Sequence, residues 1–196
     1  MRSPVLITPP ASLPVTVDEA KRHIREIGTE QDAVIEGLIE AAVSHLDGWT
    51  GSLGRCLEEQ TWRADYGSFC REMPIPLAPV TEIVSVTWRN EDGQLATVDS
   101  DDYLLKTEAD GTSHLRFRNA YSFPAGLYES DPISVTFKAG YPEVGGESTV
   151  PSAIKVAIML MVGHWFNNRE TASADAMQEI PFGAEVLLST FRKRRL

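Results

Sequence analysis

The side chains with the most chemical reach are four histidines, His23, His45, His114 and His164, and two cysteines, Cys56 and Cys70. A metal centre needs such ligands closely and regularly spaced, and these six residues are scattered. Asp99-Ser100-Asp101-Asp102 has the carboxylate density of a calcium loop. It lacks that motif's glycine at the sixth position and its closing glutamate, so it reads as a charged tight turn. His164 stands beside Trp165 in an apolar run, where an imidazole could act as a general base. No Ser or Cys motif adjoins it, so a hydrogen-bonded structural histidine is the favoured reading. Glu58-Glu59 and Asp101-Asp102 are chain neighbours that need not converge on one reacting atom. Gly145-Gly146 lacks the Lys-Ser or Lys-Thr of a phosphate-cradling loop, and no Gly-x-Ser-x-Gly elbow occurs. The expectation is therefore no catalytic residue, no metal ligand and no cofactor.

Charge is more informative. The chain of 196 residues carries 18 Lys and Arg against 28 Asp and Glu, a formal net charge of −10. Four of those cations fall in Arg192-Lys193-Arg194-Arg195, just before Leu196, which leaves the rest at 14 − 28 = −14. An acidic body with a basic tip suggests two surfaces with different partners. A solvated helix end is the simpler alternative, since cations suit the negative pole of a helix. The acidic balance argues against a protein that wraps nucleic acid with its whole surface. Aromatics are 8% and not interleaved with cations, as a single-strand-binding face requires. The tail alone could still give weak, salt-sensitive, sequence-independent binding to DNA.

Composition is that of a globular chain, 42% apolar and 23% charged, long enough to bury a core without staples. Two cysteines rule out a disulfide scaffold and fit a reducing compartment. The run Val5-Leu6-Ile7 is too short for a signal peptide and prolines close it. Val156 to Gly163 is the longest apolar stretch, well short of a membrane span.

The elements that would position these residues follow from periodicity. Thr16-Val17-Asp18-Glu19 is a capping box, and Val17, Ala20, Ile24 and Ile27 form a helical stripe that Gly28 closes in a left-handed conformation. Thr29, with Asp32 as box partner, should cap a second helix whose stripe is Ile35, Leu38, Ala42, Leu46 and Trp49, stopped by Gly48, Gly51 and Gly54. The period then changes to two. Trp62, Ala64 and Tyr66 face one way, as do Val84, Val86 and Trp88 in a second strand, and Val135 and Phe137 in another. Strands are also expected at 103–106 and 114–118, and 74–79 should be irregular because of its prolines. Pro142 to Thr149 reads as a loop. A buried helix runs from Ile154 to Phe166, opened by Pro151, and Thr171 to Gln178 reads as a mobile loop. Pro181 opens a last helix with Ala184, Leu187, Leu188 and Phe191 on one face. The expected class is α+β. About four helices form a core from 15–56 and 150–196, an antiparallel β insertion at 57–140 separates the second and third, and 192–196 is a basic tip. All of it counts as one domain, 1–196.

The order of these features resembles the head–tail connector, or adaptor, proteins of long-tailed phages and gene transfer agents. The resemblance rests on the helix Asp32 to Trp49 followed by Thr50-Gly51, and on Leu57-Glu58-Glu59-Gln60-Thr61-Trp62. Pro74 to Val80 followed by Ile83-Val84-Ser85-Val86, and Val135 to Tyr141, carry it through the middle. Val150-Pro151-Ser152-Ala153-Ile154-Lys155, running to His164-Trp165-Phe166-Asn167-Asn168-Arg169-Glu170, is the strongest match. Ile180-Pro181-Phe182-Gly183, Leu187-Leu188 and Phe191-Arg192 close it.

The resemblance implies a non-enzymatic homo-oligomeric ring, usually twelve-fold, in the virion neck. Such a ring lies between the portal protein and a stopper or next head-completion protein, and is assembled in the host bacterial cytoplasm without a membrane partner. DNA passes through its lumen without specific binding. Twelve copies at −10 each would carry about −120, a charge that repels a passing duplex if it faces inward. The tail Phe191, Arg192, Lys193, Arg194, Arg195 and Leu196 joins an aromatic anchor to cations and is the expected portal-binding segment. Asn90, Glu91 and Asp92, with Tyr121 and Phe123, are the expected contacts to neighbouring subunits or to the stopper. The rival readings are another virion-associated or toxin-system interaction protein, an enzyme using His164, and a nucleic-acid binder using the tail.

Overall fold

Alternating apolar and polar residues build the sheets. Strand β2 (Gln60–Tyr66) and strand β8 (Ile133–Ala139) pair antiparallel from Gln60↔Ala139 to Tyr66↔Ile133, and every second residue of each is buried. Strand β4 (Val80–Arg89) lies on the other side of β8. Strands β1 (Val5–Thr8) and β5 (Leu95–Thr97) form the two edges, giving the order β1-β2-β8-β4-β5. A second sheet orders β3 (Glu72–Ile75), β7 (Ser113–Phe117) and β6 (Tyr103–Thr107) as β3-β7-β6. All these pairings are antiparallel.

This computed structural model describes residues 2–168 and 181–192. The chain divides into two units: Met1–Ala11 with Glu59–Tyr141, and Ser12–Glu58 with Pro142–Leu196. The first holds both sheets. Its core is Trp62, Ala64 and Tyr66 from β2, Val135 and Phe137 from β8, Met73 and Ile75 from β3, and Leu115 and Phe117 from β7. The Tyr66 hydroxyl donates to the Pro74 carbonyl at 2.6 Å and so links β2 to β3. Pro74 is tolerated because β3 is an edge strand.

Among its described residues the second unit holds four helices: α1 (Val17–Ile24), α2 (Asp32–Leu46), α3 (Ser152–Asn167) and α4 (Phe182–Ser189). It also holds a hairpin, β9 (Glu143–Val144) with β10 (Glu147–Ser148). Gly145 and Gly146 have φ +63° and +84°, as a two-residue type I′ turn requires, so the expected loop is an ordered hairpin. The class is α+β, with β2 to β8 between α2 and α3 in the chain.

Several details depart from the periodicity reading. Helix α1 stops at Ile24 because Arg25, not Gly28, takes the left-handed cap, φ +59°. Ile27 therefore leaves the buried stripe and is 90% exposed. Thr29 does not cap α2; the N-cap is Gln31, and Asp32 pairs with Lys21 Nζ at 2.6 Å. The buried face of α2 is Ile35, Ile39, Ala42, Val43 and Leu46, with Leu38 only half-buried. In β4 the register slips between Ile83 and Ser85, which turns Val84 outward at 46% exposure while Val86 stays buried. Strand β1 has no counterpart in the expected elements, and neither does a β3 running into Pro74. The mobile loop expected at Thr171 to Gln178 lies outside the described residues.

Two local bonds are testable by urea unfolding. Tyr66→Phe leaves a carbonyl without its donor and should cost about 1–2 kcal/mol. At Gly51 a Cβ would stand 2.2 Å from the Asp47 carbonyl oxygen and 2.4 Å from that of Leu46, so backbone must move to admit it. Gly51→Ala should therefore cost more than Tyr66→Phe, about 2 kcal/mol or above. A neutral Gly51→Ala would show that the turn after α2 is not tightly packed.

Candidate functional site

The C-terminal segment is held from a distant part of the chain. Helix α4 opens after Pro181, and its Ala184 and Leu188 are buried. The turn that follows α2 bonds Asp47 Oδ1 to the Leu57 N–H at 2.6 Å and the Gly48 N–H to the Arg55 carbonyl at 2.7 Å. This fixes Arg55, whose Nε donates to the Phe191 carbonyl oxygen at 2.5 Å. Phe191 is half-buried and Arg192 exposed. Arg192 Nη2 lies 3.2 Å from Glu185 Oε1, a surface pair of the kind worth at most about 1 kcal/mol and readily exchanged for a partner. Lys193, Arg194, Arg195 and Leu196 lie outside the described residues. The spacing of the sequence carries no signal for Arg55, because its bond to Phe191 spans 136 residues.

The structure brings two expected contact loops together in the β unit. Asn90 Oδ1 accepts from the Gln94 N–H at 2.8 Å, and the Gly93 N–H donates to the Asn90 carbonyl at 2.9 Å, closing a tight turn. The Glu91 N–H donates to the Gly126 carbonyl at 3.1 Å, and Asn90 bridges to Leu127. Glu91 and Asp92 stay exposed on this turn.

Tyr121 and Phe123 sit differently, inside an intramolecular aromatic cluster. Phe123 stacks on Phe69 with centroids 5.2 Å apart, and Tyr121 stacks on buried Phe117 at the same distance. The Arg71 guanidinium lies 4.6 Å from the Phe123 centroid, and its Nη1 donates to the carbonyls of Arg118 at 2.6 Å and Tyr121 at 3.1 Å. Burial, and then the Asp102 carboxylate, push the Tyr121 phenol above its ordinary value. Both rings are half-buried, so their faces serve this loop before any partner.

His164 is half-buried in a cleft with His23, Arg25, Leu160, Asn167 and Asn168. Asn168 Nδ2 donates to the His164 carbonyl at 2.8 Å and stands 3.5 Å from its Nδ1. Asp99 Oδ1 accepts from the Asp101 N–H at 2.9 Å and caps a short 3₁₀ turn, as the charged-turn reading expects. Among the described residues no group of three or more His, Cys, Asp or Glu is arranged to hold a metal ion. No described helix is long and apolar enough to cross a membrane.

One buried carboxyl has an unusual environment. Glu58 is 4% exposed, and burial raises its pKa against the opposing pull of a hydrogen bond from Ser148 and the nearby Lys155 ammonium. Lys155 Nζ itself donates to the Ser148 carbonyl at 2.9 Å and ties α3 to the hairpin.

No protein-family model matches the chain, and no curated protein does. Solved structures do. A chain of the virion of the native gene transfer agent particle superposes with a TM-score of 0.76 at 17% identity, covering 100% of this chain and 97% of that one. A chain in the neck of the empty particle, computed with C6 symmetry, gives 0.76 at 18% identity over 98% and 96%. A chain in the neck of the native particle, computed with C12 symmetry, gives 0.69 at 16% over 98% and 96%. The whole chain thus has the fold found in gene transfer agent particles and necks, in line with the resemblance read from the motifs.

The Glu58 environment predicts a pH dependence. A carboxyl whose folded pKa is raised stabilises the fold below its unfolded pKa, and that stability is lost as pH rises through the folded value. Wild-type Tm should therefore fall relative to Glu58→Gln as pH rises above the ordinary carboxylate range. Parallel Tm curves for the two proteins over that rise would show that burial does not govern Glu58.

Proposed function

We propose that this protein is a structural component of the neck of a phage or phage-like particle, a head–tail connector that forms a homo-oligomeric ring. The observation that carries this reading is likeness along essentially the whole chain to chains of gene transfer agent particles, two of them in necks computed with C6 and C12 symmetry. The ring would lie between the portal protein and the stopper, with DNA passing through without specific binding. The acidic composition supports a wall that repels DNA rather than one that grips it. The protein would act by assembly and not by catalysis.

The proposed portal contact is Phe191 to Leu196. Arg55 holds the start of that segment, and among the described residues Arg192 pairs with exposed Glu185. Cations beyond it suit acidic side chains or helix C-terminal carbonyls on the portal. The turn at Asn90, Glu91 and Asp92 is the better placed of the two proposed contacts to a neighbour or stopper, since its acidic side chains are exposed.

Negative-stain imaging and native mass measurement of the protein with its cognate portal test the reading. A ring capping one end of the portal is expected. A chain truncated after Thr190 should remain folded and lose portal attachment, and full attachment by that truncation would exclude the tail as the docking segment. A full-length chain that never associates with the portal would overturn the connector reading itself.

A further inference from the structure

We infer that the loop following α1 is a docking knob for a second copy of this chain, seated on the outer face of that copy's α2. The inference rests on the ring reading above for the identity of the occupant. It begins with Ile27, which is 90% exposed although it is a branched apolar residue in a helix-terminal loop. The left-handed Arg25 cap turns the chain there and carries Ile27 away from the core. Arg22 and Arg25 are exposed beside it. Lys21 is engaged by the Gly28 carbonyl and by Asp32, so the loop has a fixed shape. Asp18, Lys21, Arg22, Arg25 and Glu26 line one shallow cleft with Ile27, three cations to two carboxylates. A single apolar side chain flanked by guanidinium groups is the composition of an interface anchor.

The receiving surface has the complementary charge. The outer face of α2 leaves Val34 43% exposed and presents Glu36 and Glu40, both exposed, one turn apart. Neither glutamate enters an ion pair among the described residues. Like charges at i and i+4 repel along a helix, and the Arg22 and Arg25 cations likewise repel across the end of α1. Both unfavourable pairs become favourable when they face each other, with Ile27 against Val34 between them. Such a contact buries the apolar side chains that each free subunit leaves in water. It also requires that association weaken as salt rises.

A charge swap tests this in the full-length chain, by sedimentation velocity alone and with the portal. One variant carries Arg22→Glu and Arg25→Glu, the other Glu36→Arg and Glu40→Arg. All four positions are exposed, so circular dichroism should show both variants folded. Each variant alone should self-associate at least about tenfold more weakly than wild type. Their equimolar mixture should recover assembly, because each variant's knob then meets a face of opposite charge. Ile27→Cys mixed with Val34→Cys, each in a Cys70→Ser background, should give a disulfide-linked dimer on oxidation that neither gives alone. Wild-type association by either charge variant, or failure of the mixture to recover it, would overturn the contact while leaving the neck reading intact. A wild-type chain that forms no oligomer with or without the portal would overturn both.

Discussion

Two backbone carbonyls at the end of α2 leave no room for a side chain at Gly51, and much of the helical unit depends on that crowding. A helix end leaves orphan carbonyls that need donors. Here the Ser52 N–H reaches the His45 carbonyl at 2.9 Å, and the Leu53 N–H reaches that of Leu46 at 3.3 Å. The chain can fold back this tightly only with a hydrogen in place of a Cβ. The return delivers Leu53, Cys56 and Leu57 to the core and aims Arg55 at the Phe191 carbonyl. A single steric constraint thus connects the second helix to the residues just after α4.

Electrostatics divide the molecule by degree of burial rather than by sign. Most ion pairs are at the surface, such as Lys138 between Glu59 and Glu82, at 3.7 and 3.2 Å. Its two carboxylate neighbours raise the Lys138 pKa, Glu82 first, which only reinforces a charge already present at neutral pH. These contacts organise a polar sheet face without adding much stability. Glu58 is the contrast, a carboxyl carried into the interior where its charge is opposed by desolvation.

The sequence disclosed most of the elements because periodicity reports burial directly. The alternation in Ile133–Ala139 is observed as written, and the apolar run from Ile154 lies on a buried helix. What failed was governed by events with no periodic trace. An arginine takes the left-handed cap although a glycine lies three residues on, and a register slip turns Val84 outward. Strand β1 was hidden because its residues are exposed on both faces, so it owes its conformation to pairing with β2 and not to its own pattern. The candidate contacts were legible as residue types, but their placement was not. Nothing in a linear reading tells that Tyr121 and Phe123 spend their faces on Phe117 and Phe69, or that Arg55 grips Phe191.

The separation of α2 from α3 along the chain has a consequence for biosynthesis. The face of α2 that carries Ile39 and Val43 is finished early, yet its partner helix begins only at Ser152. At a ribosomal pace of about 5–20 residues per second, that face waits roughly 5–20 s for α3 to be made. The intervening residues complete β2 to β8 during the delay, and β1 is already available to join them. The nascent chain therefore completes β2 to β8 while α2 still lacks the cover that α3 supplies.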